Sequence, residues 1–420
     1  MPPAPSQKRH SSFFYTLMAL VFAIIVGLGL RFFCGDTLIT FVSTDVLEPV
    51  KTMYLNALKL VVAPVVFCSI AASIAGISDY RTYGRIGLKV VLIYVATSLI
   101  ATCIGIASAT LLSPSAGAVL EGSVSYSTEP TRISLLDTIV SIVPSNLVSP
   151  FQESNMTQII FLALLIGWAS GILEQKSNIP QFRRALDLMY KLFLTIASLV
   201  LKLIPVGTFC AVALLILDID AAILLSLVKL IGCVFFGATL MICVYGLMFF
   251  LVTKESPLRL LRKCLPNLTS FALLCSTSAV LPQTLDTCTG KLGIDPEISS
   301  FSIPLGSTIN MDGACIYLTV SALFLAGIYD ITLTPDMLVQ LALTTLLLSI
   351  GAPPLPGSGF ICLSVLVLQL GIPMDSIGYL LGIDQLMSMC RTVVNGSGDM
   401  VCTAIIAHKE GRMDMETFRK

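Results

Sequence analysis

The sequence predicts an all-α membrane protein, and three observations carry that expectation. Of its 420 residues, 55% are hydrophobic and only 12% charged, about half the charge of a soluble domain. The mean hydropathy of +0.91 is spread along the whole length, which excludes a soluble domain with a single anchor. Apolar runs recur at the length of about 20 residues that a helix needs to cross hydrocarbon, where a helix satisfies all its backbone polar groups internally. The formal net charge is zero, so no basic or acidic surplus points to nucleic acid. The 13 cysteines stand singly in apolar runs, as at Cys68, Cys103, Cys233, Cys243 and Cys362. Without a CxxC spacing they read as small packing residues. The two histidines, His10 and His408, lie near the chain ends, which argues against His-based metal sites and Ser/His/Asp chemistry.

The first run, about 13–33, follows Lys8 and Arg9 as a secretory signal would. It is long enough to span, and no small-residue cleavage site follows, so it reads as a retained first helix. Further runs at about 46–77, 86–112, 134–173 (broken), 192–217 and 222–253 bring the expected spans to about six. Basic residues fall in alternate connections: Lys8 and Arg9; Arg81, Arg85 and Lys89; Lys176, Arg183 and Arg184; Lys254, Arg259, Arg262 and Lys263. The opposite connections carry Glu121, Glu129, Asp218 and Asp220. The excess of Lys and Arg places the N-terminus and its alternate loops in the cytoplasm.

Beyond residue 255 polar, Gly-rich and Pro-rich patches interrupt the apolar stretches. One is Cys275-Ser276-Thr277-Ser278 followed by Pro282; the other runs from Ser349 to Gly359 through Pro353, Pro354 and Pro356. A break in a lipid-facing helix strands N–H and C=O groups that hydrocarbon does not tolerate. Two re-entrant hairpins with tips buried in protein solve this, and such paired interruptions mark binding sites near the bilayer midplane.

The last apolar segment carries Asp384, Ser388, Arg391, Thr392, Asn395 and Asp399 at helical spacing on one face. An isolated charge at mid-bilayer costs about 3 kcal/mol, so this face must turn inward. Asn and Thr interleaved with acids suit a hard cation, which takes oxygen ligands. A second interrupted helix offers Gly306, Thr308, Asn310, Met311, Asp312 and Gly313. Asn310 and Asp312, two apart, can share an ion only where the helix unwinds. Tyr94, Thr97 and Ser98 put three hydroxyls on one face of the third span.

These residues resemble the dicarboxylate/amino acid:cation symporter family, which includes archaeal aspartate transporters, bacterial dicarboxylate carriers and mammalian glutamate transporters. The likeness covers about residues 10–410. It rests on Asn310-Met311-Asp312-Gly313, the Gly/Pro-rich second tip, Arg391-Thr392-Val393-Val394-Asn395 with Gly398-Asp399, and the first tip Ser276-Thr277-Ser278. The resemblance implies eight transmembrane helices, two re-entrant hairpins, an elevator mechanism and a homotrimer. A scaffold would come from about 13–77 and 134–217, and a transport domain from about 86–112 and 222–410, with tips near 275–282 and 349–359.

Carried over by motif, Arg391 would bind the distal carboxylate of the solute. The remaining carboxylate would lie against Ser276, Thr277, Ser278, Pro354, Leu355, Pro356, Gly357, Thr392 and Asn395. Na+ would be the co-transported ion. One sodium would sit at Gly306, Asn310, Asn395 and Asp399, and a second at Tyr94, Thr97, Ser98, Asn310 and Asp312. Carbonyls near Thr308, Ser349, Ile350 and Ala352 would make a third. The second hairpin would gate the outer side.

Three departures bear on the solute. Ser388 stands where amino acid-transporting relatives carry an aspartate for the substrate ammonium, which favours succinate, fumarate or malate. Cys275 replaces an arginine beside the first tip, and Ala314 replaces a threonine that contacts the distal carboxylate. An alanine also occurs there in neutral amino acid relatives, but a buried unpaired Arg391 opposes a neutral solute. Asp399 favours sodium over proton coupling, because proton-coupled relatives carry asparagine there. The expectation is a sodium-coupled symporter of small dicarboxylates or acidic amino acids in a bacterial inner membrane, both termini cytoplasmic. The alternatives are neutral amino acid or proton-coupled transport by the same fold. A third reading starts from Gly396-Ser397-Gly398-Asp399, which fits the Gly-x-Gly-Asp pattern of intramembrane aspartyl proteases. Asp312 would then be the second acid, but it lacks the accompanying tyrosine in sequence.

Overall fold

A computed structural model describes residues 10–77, 84–116, 143–153, 155–177, 181–218, 221–351 and 358–420. Among them the chain is helical apart from its turns and one isolated antiparallel bridge, Ile294 to Met413. Helix α1 (His10–Phe33) is followed by α2 (Asp36–Thr40). That helix continues through a π-helical stretch, Phe41–Leu47, into α3 (Glu48–Ile77). The second span therefore starts about ten residues before its apolar run. Ser43 and Thr44 dilute the hydropathy there, yet each hydroxyl donates back to the Thr40 carbonyl, at 3.0 and 2.7 Å.

Next come α4 (Gly84–Leu112), the short α5 (Ser149–Gln152) and α6 (Met156–Ser177). Helices α7 (Gln181–Leu201) and α8 (Ile204–Asp218) form one path bent by 45°. Pro205, at the start of α8, has no N–H to continue the ladder and its ring opposes the carbonyl four residues back, so the chain bends there. This path begins at Gln181, earlier than its apolar run, because Arg183, Arg184, Asp187 and Lys191 make its first turns amphipathic.

The second half begins with α9 (Ala221–Thr253). Helices α10 (Pro257–Leu274) and α11 (Thr277–Gly290) pack together as a hairpin. Cys275 makes its turn in the left-handed region at φ 47°, and the Ser276 hydroxyl caps α11 by accepting from Ala279 N at 3.3 Å. Pro282 lies inside α11 rather than in the tip. Helix α12 (Pro296–Ile309) ends at Asn310, and α13 (Asp312–Ile328) starts after Met311. Helices α14 (Pro335–Gly351) and α15 (Ser358–Gln369) pack on each other. A 3-10 turn, Met374–Ile377, and α16 (Gly378–Leu381) lead into α17 (Asp384–Lys409) and the terminal α18 (Met415–Arg419).

Among the described residues four helical stretches are long and apolar enough to cross a membrane: Asp36–Ala72, Ile86–Leu112, Leu225–Thr253 and Pro296–Ile328. The bent α7–α8 pair makes a fifth, and shorter apolar helices account for Met18–Phe33, Gln158–Glu174, Pro335–Ile350 and Gly359–Gln369.

Helices α1, α3, α6, α7 and α8 pack on one another, and α4, α9 to α15 and α17 form a second group. The groups meet where α3 touches α14 and α15, and where α16, tied to α15 through the 3-10 turn and so to the second group, lies on α8. Within the second group the Pro296–Ile328 stretch is 89% buried, against 39% for Ile86–Leu112 and for Leu225–Thr253. Hence α12, α13 and α17 form the centre, while outer faces expose Leu88, Leu225, Leu247 and Leu273. The charged ends gather together. Lys89 pairs with Glu410, Arg412 with Asp295 at 2.9 Å, and Arg419 with Glu255 at 2.8 Å.

Candidate functional site

Helix α17 is 26 residues long, roughly 39 Å at 1.5 Å per residue. Asp399 therefore lies about 15 Å from its charged end, near the middle of a hydrocarbon layer about 30 Å thick. Every member of the stripe is buried: Asp384, Ser388, Arg391, Thr392, Asn395 and Asp399. The break between α12 and α13 faces it. Asn310 and Met311 have non-helical backbone angles, φ −95° ψ 74° and φ −103° ψ 51°, so Asn310 and Asp312 are freed from the opposed directions of a regular helix.

An oxygen-rich cluster follows. Asn310 Nδ2 donates to Asp399 Oδ1 at 3.1 Å, and Asn310 Oδ1 accepts from Thr97 Oγ1 at 3.0 Å. Asp312 Oδ1 accepts from Ser98 Oγ at 2.6 Å, while its other oxygen accepts from the Tyr245 hydroxyl. The Tyr94 hydroxyl donates to the Ser302 carbonyl at 3.0 Å and lies 2.8 Å from Ser302 Oγ, which contacts Thr403 Oγ1 at 2.7 Å. Glycine at 306 is a requirement of close approach, because a Cβ there would stand 2.4 Å from Asp399 Oδ1 and 2.7 Å from the Tyr94 hydroxyl. Asn395 Oδ1 accepts from Gly313 N at 2.7 Å and Ala314 N at 3.4 Å, which ties α17 to the first turn of α13. Asn395 Nδ2 faces Met311 Sδ at 3.0 Å.

Two helical turns toward the N-terminus of α17, Arg391 Nη2 donates to Ser388 Oγ at 3.1 Å. Among the described residues Arg391 Nη1 is buried without a hydrogen-bond partner, and so is Asp384 Oδ1. The guanidinium lies over the Tyr317 ring, 5.1 Å from its centroid. A Cβ at residue 359 would meet Arg391 Nη1 at 1.9 Å, so Gly359 leaves room for the side chain. Cys275, at the first tip, interacts with Arg391 and Ser388 and accepts from Gln385 Nε2 at 3.3 Å.

The structure thus brings together most of the residues expected from the sequence. Tyr94, Thr97, Ser98, Gly306, Asn310, Asp312, Asn395 and Asp399 meet in one cluster. Ser276, Ala314, Ser388, Arg391 and Thr392 are buried nearby, although Thr392 Oγ1 is bound to the Ser388 carbonyl at 2.7 Å. Thr277 Oγ1 donates to the Ser307 carbonyl at 3.3 Å, while Ser278 is exposed. Thr308 and Ser349 turn their hydroxyls to carbonyls of their own helices, Leu305 at 2.9 Å and Leu346 at 2.7 Å. Ile350 packs against the apolar cluster that contains Tyr94, Leu305 and Ile309, and α12 and α14 are in contact. Ala352, Pro354, Leu355, Pro356 and Gly357 lie outside the described residues.

Sequence reasoning missed Tyr245, Tyr317, Ser302 and Thr403. Tyr245 carried a readable signal, a lone phenol in an apolar α9 whose hydroxyl needs a partner once buried.

The profile of the sodium:dicarboxylate symporter family matches residues 13–409. The chain belongs to that family. Over 421 residues it is 30% identical to the C4-dicarboxylate transport protein of Burkholderia cenocepacia, covering 98% of this chain and 96% of the relative. It is 28% identical to the protein of that name from Cupriavidus taiwanensis, over 97% and 94% of the two chains. For Laribacter hongkongensis the figures are 29%, 98% and 92%. With several apolar helices among the described residues, membership of a symporter family makes this chain a multi-pass membrane transporter, which is consistent with its not being an enzyme.

Proposed function

We propose that the protein is a sodium-coupled secondary symporter of small C4-dicarboxylates of the succinate, fumarate and malate type. The observation that carries the proposal is Arg391: a buried guanidinium that, among the described residues, has no hydrogen-bond partner at Nη1 and reaches the neutral Ser388 hydroxyl through Nη2. A buried unpaired charge is costly, and a planar carboxylate can accept from both nitrogens. Ser388 offers a substrate no negative charge, which suits a solute without an ammonium group. The relatives' name, C4-dicarboxylate transport protein, supports the same class.

The second carboxylate would lie between the hairpin tips and Asn395, using Ser276, Thr277, Ser278 and the second-tip residues Pro354, Leu355, Pro356 and Gly357. Sodium is co-transported cargo. Asn310, Asp399, Asn395 and the Gly306 carbonyl would take one ion, and Asp312, Asn310, Tyr94, Thr97 and Ser98 a second. Carbonyls near Thr308, Ser349, Ile350 and Ala352 would take a third. Supporting this reading, a hydrogen bond joins Asn310 to Asp399 in the first set and another joins Ser98 to Asp312 in the second, so each set is already gathered. The α4, α9–α15 and α17 group would carry the site across the membrane against the α1, α3, α6–α8 group, the latter holding a homotrimer in a bacterial inner membrane with both termini cytoplasmic.

A second reading, acidic amino acids, is favoured by Asp384, whose Oδ1 lacks a hydrogen-bond partner among the described residues and could answer an ammonium. The test is uptake of labelled succinate and labelled aspartate into proteoliposomes, each with and without an inward sodium gradient. Sodium-dependent succinate uptake, lost in Arg391→Ala, is the expected result. Aspartate uptake without succinate uptake would transfer the assignment to the second reading. Succinate accumulation that ignores sodium would remove the coupling.

A further inference from the structure

A cavity of about 400 Å3 lies between α9, α10 and α17. Gly246, Phe250, Pro257 and Leu261 line it from the outer side, and Ser397 and Met400 line it from α17. The walls are almost wholly apolar. Cys243, Leu247, Phe250, Leu258 and Leu261 are also exposed, so the cavity opens on the lipid-facing surface. Its end nearest the membrane surface is the α9–α10 turn, where Lys254, Arg259, Arg262 and Lys263 cluster.

Their hydrogen bonds and ion pairs divide these four cations. Arg259 is held by Glu255 at 3.0 Å, and Lys263 donates to the Lys291 and Thr417 carbonyls at 2.8 and 2.9 Å. Lys254 and Arg262 are exposed, and neither side chain has an ion pair or hydrogen bond among the described residues. Lys254 ends α9 at φ 60°, a left-handed cap position where glycine or asparagine fits with less strain. An apolar slot that opens on lipid beneath two free cations matches a molecule with a hydrocarbon tail and an anionic head. Cations just cytoplasmic of a membrane helix attract anionic lipid, and long basic side chains reach the headgroup level.

We propose that this cavity binds one acyl chain of an anionic phospholipid whose phosphate is held by Lys254 and Arg262. The occupant packs against the back of the ion cluster, because Tyr245 also lines the cavity while its hydroxyl donates to Asp312. The site is independent of which solute the protein carries.

The test uses the full chain reconstituted with phosphatidylglycerol bearing a photoreactive group in its acyl chain, and in parallel with the matching phosphatidylcholine. Labelled peptides are mapped by mass spectrometry. Phosphatidylglycerol should label 242–250 and 257–268 at least about fivefold more than phosphatidylcholine, a ratio equivalent to one modest charged contact. The double variant Lys254→Gln, Arg262→Gln should remove that preference, and Cys243→Phe, which obstructs the mouth, should lower labelling with either lipid. Equal labelling by both lipids that is unchanged in the Gln variant would overturn the headgroup site. Labelling spread equally over other outer faces, such as that of Leu225 and Leu240, would show bulk lipid only and overturn the cavity site. Retained solute uptake and an unchanged elution profile establish that the variants are folded.

Discussion

Arg391 and Asp312 are both buried charges, yet their surroundings assign them different tasks. Both Asp312 oxygens are occupied, by Ser98 and Tyr245, whereas Arg391, over the Tyr317 ring, keeps an Nη1 with no hydrogen-bond partner among the described residues. Arg391→Lys keeps the charge but loses the fork geometry. Succinate uptake efficiency should fall at least about 30-fold, roughly 2 kcal/mol, the low end for truncating a buried charge partner; concentration-dependent uptake measures it. Tyr245→Phe leaves one Asp312 oxygen unsatisfied, a loss of about 1–3 kcal/mol. If Asp312 ligates sodium, the variant should shift the sodium dependence of uptake by tenfold or more while the succinate dependence at saturating sodium changes little. At this scale Arg391 and Asp399 were legible in the sequence, because a charge amid Leu, Met and Val must face inward. Tyr245 was not placed, since its partner lies 67 positions away.

Among the elements, the α12–α13 break was readable from Asn310 and Asp312, whose two-residue separation no regular helix face accommodates. The close approach of α17 to α12 was not, because it is set by Gly306 and the side chains it leaves space for. Gly306→Ala would drive a methyl against Asp399 Oδ1 and the Tyr94 hydroxyl, an overpacking of about 1–3 kcal/mol. Lower thermal stability and weaker sodium dependence together are expected, and an unchanged sodium dependence would detach Gly306 from the ion site. At the charged end, Arg412 and α18 form a latch outside the membrane. The Thr417 hydroxyl and the Glu416 backbone N–H hold Asp414 below the usual 3.8. Burial pushes Asp295 up, but the Glu297 N–H and the Arg412 side chain outweigh it and leave its pKa lowered. Groups with depressed folded values contribute stability above their unfolded pKa and lose it as pH falls through the folded one. Proteolytic nicking of 410–420 should therefore stay level from about pH 8 to pH 5 and rise below about pH 4.

The whole molecule divides into two packing groups, and the proposed transport cycle requires them to move past each other. A Cβ built at Gly378 on α16 would lie 3.9 Å from Ala211 Cβ on α8, within the range of about 3.5–4.5 Å that a disulfide spans. Gly378→Cys combined with Ala211→Cys should cross-link the groups on oxidation and stop uptake, and reduction should restore it. Full uptake by the cross-linked form would exclude relative motion at this contact. The sequence by itself determined the membrane class, the interrupted segments and the inward stripe on α17, because hydrocarbon penalises every stray charge and broken helix end. It also put Ser388 and Arg391, i and i+3, on one helix face, and the family resemblance gave them the roles on which the dicarboxylate reading rests. Tertiary structure alone decided that the run over 192–217 bends by 45° between α7 and α8 and that Tyr245 and Tyr317 complete the two polar centres. It alone placed an apolar cavity under the free cations of the α9–α10 turn. Each of these depends on contacts between helices distant in sequence, and helical periodicity specifies which face turns inward but not which neighbour it meets.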